Sequence, residues 1–247
     1  MKQSWFEFES TDKEIAKTPF IIKTDMSLSE KGDPLWPTKD VFVISIRESR
    51  MLAFQKRMKP IVPLVRSWSG VDGQKLDLAT LRRKGLLAEM ANMKRGQVGC
   101  FFAHRRIWQH VADTQISHAL VMEDDATWAM KYTRARALVT LKLAQLNQSH
   151  PNWDILLLAR SPGLPRNKDT ILPGVVKTGP FYGLFAYVVS SRGARKLVND
   201  NGVKMPCIPV DCVVSNMAAA GTLEVFALYP EACSYNKKLE SDTSGIH

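Results

Sequence analysis

The chain has 247 residues, enough for one large domain or one domain with a short appendage, and its 45% hydrophobic content excludes a disordered chain. Its 34 Lys and Arg against 24 Asp and Glu give a net charge of +10, which favours anionic partners: nucleic acid, anionic membrane or phosphate-bearing small molecules. The excess is dispersed in small clusters such as Arg82-Arg83-Lys84 and Arg105-Arg106, with no basic arm, zinc-finger or RNA-recognition signature, so nucleic acid is set aside as a partner. Peripheral contact with an anionic membrane stays compatible with the charge.

The four cysteines, Cys100, Cys207, Cys212 and Cys233, are too few for a disulfide scaffold. Cys207 and Cys212 have no matching second pair, which argues against a structural zinc site. They read as free thiols of a cytoplasmic protein. The N-terminus lacks the apolar core of a signal peptide, and no run approaches the roughly eighteen apolar residues of a membrane span.

In chain order, residues 1–40 are mixed, with "KGDPLWPTKD" as a Pro/Gly-punctuated connection, and read as an N-terminal extension. "VFVISI" (41–46) is the first buried strand, followed by a helix from Glu48 that stops near Pro60. "PLVRSWSGVDG" predicts a second strand and a turn at Asp72-Gly73, and "DLATLRRKGLLAEM" a weaker helix. "CFFAHRRIWQHVADTQ" carries apolar residues at helical spacing, with Gly96 and Gly99 before it. "HALVM" is a strand ending in Glu123-Asp124-Asp125, and "RARALVTLKLAQLNQ" a helix. "WDILLLA" and "FYGLFAYVVS" are further strands, and "SRGARKLVNDNG" and "PVDCVVSNMAAAG" close the pattern as helices. This alternation predicts an α/β domain.

Three consecutive carboxylates at the carboxyl end of a buried strand lie where ligands bind in open α/β sheets. Strand alternation puts Glu123 and Asp125 on one side and Asp124 on the other. Two converging anionic oxygens suit a hard divalent cation; the competing reading is acidic N-capping at the start of "ATWAMKYTRARALV", from Ala126. Gly96 and Gly99 predict a flexible approach to a helix N-terminus that could attract a phosphate, with His104 about one turn beyond. His104 reads equally as a core histidine, and Trp108 as core packing.

These segments, in this order, resemble glycosyltransferase family 25, which includes bacterial lipopolysaccharide galactosyltransferases and collagen hydroxylysine galactosyltransferases. The motifs are "ISIRESR" (44–50), "GVDG" (70–73), "GQVGCFFAHRRIW" (96–108), "MEDD" (122–125), "WDILLLA" (153–159), "AYVVSSRGARKLV" (186–198) and "IPVD" (208–211), and "LESDTSG" near the C-terminus is a looser match. Gln97, Ala103 and Ser45 stand where the family pattern has Glu, Ser and Asn. The resemblance implies an α/β fold of GT-A-like type, a single domain over 41–247 with a mixed, mostly parallel sheet flanked by helices. It also implies inverting transfer of a hexose, most often galactose, from a UDP-sugar to a hydroxyl of a glycan or protein acceptor.

On that resemblance, Mn²⁺ or Mg²⁺ is the expected cofactor, held by Glu123 or Asp125, with Asp125 favoured. Ser45, Arg47, Arg50, Asp72, His104 and Asp124 are the expected donor-binding residues, and Asp211 is the expected catalytic base. Asp154 is expected to be structural, and Asp242 and His247 are candidate lid ligands. The rivals are a metal-dependent phosphohydrolase and a nucleotide-sugar-binding descendant without activity.

Overall fold

The computed structural model describes residues 36–161 and 169–236. The expected lid ligands Asp242 and His247 and the "LESDTSG" match lie outside these residues, as does most of the expected N-terminal extension. Residues 36–40 of that extension pack into the fold: Trp36 is buried and stacks on Tyr132, and Asp40 pairs with Arg66 at 3.1 Å.

The strands are β1 (Val41–Ser45), β2 (Val65–Ser69), β3 (His118–Glu123), β4 (Ala126–Trp128), β5 (Ile155–Leu157), β6 (Thr170–Leu172), β7 (Val175–Lys177), β8 (Ala186–Ser190), β9 (Val225–Leu228) and β10 (Cys233–Tyr235). The α-helices are α1 (Glu48–Arg57), α2 (Leu78–Arg83), α3 (Arg95–Asp113), α4 (Tyr132–Ser149), α5 (Ser191–Asn199), α6 (Asn201–Lys204) and α7 (Val210–Ala219). Eight strands form one sheet in the order β2-β1-β3-β8-β5-β9-β7-β6, and β10 pairs with β4 separately. The pairings make β2, β1, β3, β5, β9 and β6 run one way and β8 and β7 the other. The sheet is mixed, most of its strands share a direction, and helices cover both faces.

Strand alternation divides the core. Phe42, Ile44, Ala119, Val121, Ile155, Leu157, Tyr187 and Val189 face α3, α5 and α7. Val41, Val43, Leu120, Met122, Leu156, Leu158 and Val188 face α1 and α4. With both faces covered, the central strands read as continuous apolar runs, which is why they stand out in the sequence.

The chain runs from β1 outward to β2 through α1 on one face, then back past β1 to β3 through α3 on the other. The strand order therefore reverses between β1 and β3, and the crevice outside their carboxyl ends is the position where such sheets place ligands. Ser45 and Glu123 end those two strands.

Two expectations change here. The helix containing His104 begins at Arg95, so Gly96 and Gly99 lie inside it and His104 sits nearly three turns in, away from any helix N-terminus. A Cβ on Gly99 would lie 2.3 Å from the Val71 carbonyl oxygen and 2.7 Å from the Gly73 amide nitrogen. Gly99 thus lets α3 press against the loop after β2 and serves packing rather than phosphate approach. Second, residues 126–128 are strand β4 and the next helix starts only at Tyr132, after Lys131. The acidic triplet therefore caps no helix.

Candidate active site

The alternation that splits the core continues into the acidic triplet. Glu123 follows Ala119 and Val121 toward α3, where its Oε1 lies 3.5 Å from His104 Nε2. Asp124 follows Leu120 and Met122 toward α1 and is only 5% exposed. Its carboxylate accepts from Ser45 Oγ at 2.6 Å and pairs with Arg50 at 2.5 Å, while Arg57 donates to its backbone oxygen. Ser45, Arg50 and Asp124, expected to contact the donor, are thus committed to a buried knot that ties β1, α1 and the end of β3 together. Burial of the Arg57 guanidinium lowers its pKa, against the pull of Asp124 and Asp125.

Asp125 has a different environment. Its Oδ1 is buried and has no hydrogen-bond partner among the described residues. Its backbone oxygen accepts from the amide of Asn236, which closes the strand pair β4–β10 over the turn. Burial, then the charges of Glu123 and Asp124, push the Asp125 carboxyl up to about 7. An unfolded aspartate ionises near 4, so between about pH 4 and pH 7 the folded chain holds a proton that unfolding releases. Stability of the metal-free protein is therefore expected to fall as pH rises through that window and to level off above it. Melting temperatures in chelator from pH 4.5 to 8 test this, and Asp125→Asn should flatten the slope.

His104 is fully buried on the opposite wall. Trp108 Nε1 donates to the Tyr187 hydroxyl at 2.8 Å, and that hydroxyl lies 2.9 Å from His104 Nδ1. An indole can only donate, so the Tyr187 proton is best placed on Nδ1. The imidazole then carries its proton on Nε2, facing Glu123. Trp108, expected as core packing, also fixes this tautomer. Burial raises the pKa of the Tyr187 hydroxyl, so it stays a neutral donor.

Asp211, the expected base, lies in the first turn of α7 and accepts from the Gly183 amide at 2.8 Å and the Cys212 amide at 3.0 Å. It faces the same space: Glu123, Asp211 and Asp125 all add, after burial, to raising the Cys100 thiol's pKa. Cys100 was not singled out as a site residue from the sequence. Its signal was its position four residues before His104, which on a helix brings the two side chains to one face.

The other expected donor contacts lie apart from this cluster. Arg47 is exposed at the end of β1, and Asp72 caps the 3₁₀ turn Gly73–Lys75 by accepting from the Gln74 amide at 3.0 Å. Asp154 is structural, as expected: fully buried, it holds Lys196 at 2.7 Å, Arg192 at 3.0 Å and the Glu224 amide. It stands at the amino end of β5, opposite the carboxyl-end crevice. Gln97 Oε1 accepts from the Lys94 amide at 2.9 Å and caps the start of α3. Ala103 is fully buried in the core. Gln97 thus serves a helix cap and Ala103 the core packing.

A profile of Glycosyltransferase family 25 (LPS biosynthesis protein) matches residues 39–156. The human protein named "Inactive glycosyltransferase 25 family member 3" is 30% identical over 70% of this chain and 30% of its own length. The rat "Probable inactive glycosyltransferase 25 family member 3" is 31% identical over 78% of this chain and 35% of its own. Human "Procollagen galactosyltransferase 2" is 28% identical over 72% of this chain and 30% of its own. The chain spans about a third of the length of these curated relatives. Strand β1, the carboxylate triplet after β3, and the helix carrying Cys100 and His104 all lie within the profile match, so the residues of this site fall in the part of the chain that matches glycosyltransferase family 25.

Proposed function

We propose that the chain transfers a hexose, galactose in the first instance, from a UDP-sugar to a hydroxyl of a glycan or protein acceptor, with inversion and with Mn²⁺ or Mg²⁺ as cofactor in a GT-A-like site. The observation that carries this is Asp125: a carboxylate with one buried oxygen that has no partner among the described residues, crowded by Glu123 and Asp124 at the β1–β3 switch point. Crowded carboxylates in that position fit a hard divalent cation. Glu123 and Asp125 would hold it, and when bound it would neutralise charge on the diphosphate leaving group.

The chain's own residues supply the remainder. Asp124, Arg50 and Ser45 hold the end of β3 rigid, so Asp125 keeps its aim. His104, oriented by Tyr187 and Trp108, presents an Nε2 proton toward Glu123. Asp211, anchored by the amides of Gly183 and Cys212, is the group to take the acceptor hydroxyl proton. Arg47, exposed beside the crevice, and Asp72 are the remaining candidates for contact with the nucleotide.

A second reading is favoured by the relatives named as inactive: a chain that binds a nucleotide-sugar without turning it over. UDP-galactose hydrolysis measured with and without Mn²⁺ separates the two. Mn²⁺-dependent release of UDP supports transfer; tight Mn²⁺-dependent UDP binding without release supports the binding protein. Cleavage of simple phosphate esters would instead indicate a phosphohydrolase.

A further inference from the structure

The wall of the crevice formed by α3 carries a donor set unlike the oxygen ligands of Asp125. One ligand atom each from Cys100, His104 and Glu123 lie within 4.8 Å of one another. His104 is fully buried, and its Nε2 has no hydrogen-bond partner among the described residues although it faces the Glu123 carboxylate. We propose that Cys100, His104 and Glu123 form a binding site for a soft or borderline transition cation of the Zn²⁺ class, distinct in ligand chemistry from the Mn²⁺ or Mg²⁺ site.

Thiolate, imidazole and carboxylate together select zinc-like ions over magnesium or calcium. The 3.5 Å between His104 Nε2 and Glu123 Oε1 is close to the edge of a zinc tetrahedron, about 3.4 Å for bonds of about 2.0–2.1 Å. Cys100 and His104, four residues apart on α3, supply two ligands from one rigid element. Three protein ligands leave one position open, and Glu123, which is partly exposed, marks the side from which a small molecule would reach it.

Binding displaces the Cys100 thiol proton to solvent and moves the imidazole proton from Nε2 to Nδ1. Nδ1–H then donates to the Tyr187 oxygen, which accepts from Trp108 as well, so the outer partner that orients a ligating histidine is already in place. The Tyr187 proton turns away from the ring, an unfavourable contribution that the three metal bonds offset. Because Glu123 would serve both cations, Zn²⁺ and Mn²⁺ compete; this one consequence rests on the Mn²⁺ reading above.

Cobalt titration tests the site without any sugar donor. The full chain, stripped with chelator and reduced, should take up one Co²⁺ with a thiolate charge-transfer band in the near ultraviolet and tetrahedral d–d bands in the visible, all bleached by Zn²⁺. Cys100→Ser should abolish the near-ultraviolet band and weaken Co²⁺ binding by about tenfold or more. His104→Gln should weaken it similarly, with circular dichroism confirming that the variant is folded. A double Cys207→Ser, Cys212→Ser variant should leave the spectrum unchanged. A band that survives in Cys100→Ser, a band lost in the double variant, or no thiolate band in the wild-type chain would overturn the proposal. None of these outcomes depends on whether the chain transfers sugar.

Discussion

Asp125→Ala is expected to remove Mn²⁺-dependent UDP binding and sugar transfer while leaving the melting temperature unchanged or, at pH 8, raised. The first part follows from the unpartnered Oδ1: no protein group on the described residues uses that oxygen, which leaves it to whatever binds there. The second follows from the sign of the pKa displacement. A carboxyl pushed up to about 7 is a net electrostatic burden on the fold above that pH, and its removal relieves repulsion from Glu123 and Asp124. Calorimetric titration of UDP with Mn²⁺, beside thermal melts with chelator, reads both parts. Normal Mn²⁺-dependent UDP binding by a folded Asp125→Ala chain would remove Asp125 from the site.

The neighbouring residue should behave in the opposite way. Asp124→Ala is expected to destabilise the fold by about 3–5 kcal/mol, because it leaves the nearly buried Arg50 guanidinium without this carboxylate. Denaturant unfolding monitored by tryptophan fluorescence would give the magnitude. Any loss of UDP binding should track the unfolded fraction, so it should be recovered at low temperature or in a stabilising osmolyte. A loss of less than about 1 kcal/mol, accompanied by failed UDP binding in a fully folded chain, would return Asp124 to the donor site. Two adjacent carboxylates thus separate into one that holds the crevice together and one that gives it chemistry.

How far this was legible in the sequence depends on the range of the interaction concerned. The alternation from Ala119 to Glu123 is local, and it correctly put Glu123 and Asp124 on opposite sides of the strand. That Asp124 is structural is not local. It depends on Ser45 and Arg50, brought alongside only when β1 pairs in parallel with β3. The same holds for Gly99, whose reason is the backbone of Val71 and Gly73 on a different segment.

The buried central strands were visible because both faces are apolar. Strands β4, β6, β7 and β10 have only three residues each, too short for a period to register, and β4 instead looked like the start of a helix. Strand β9, "VFAL", is buried throughout, but it has four residues and follows a helix ending in small residues, so the sequence does not set it apart. Along the chain Cys100 is one thiol among four; only around the helix does it come to the face of His104. Placing Cys100, His104 and Glu123 together requires α3 to lie across the end of β3, which only the packed core sets.

The central claim is that the carboxylate cluster after β3 is a divalent-cation and nucleotide site. Titrating UDP into the chain by calorimetry at pH 7.5, with Mn²⁺ and then with chelator in its place, tests it most directly. Saturable UDP binding that requires Mn²⁺ and disappears in Asp125→Ala is expected. Binding of equal strength in chelator, or no binding in either condition by a folded chain, would contradict it.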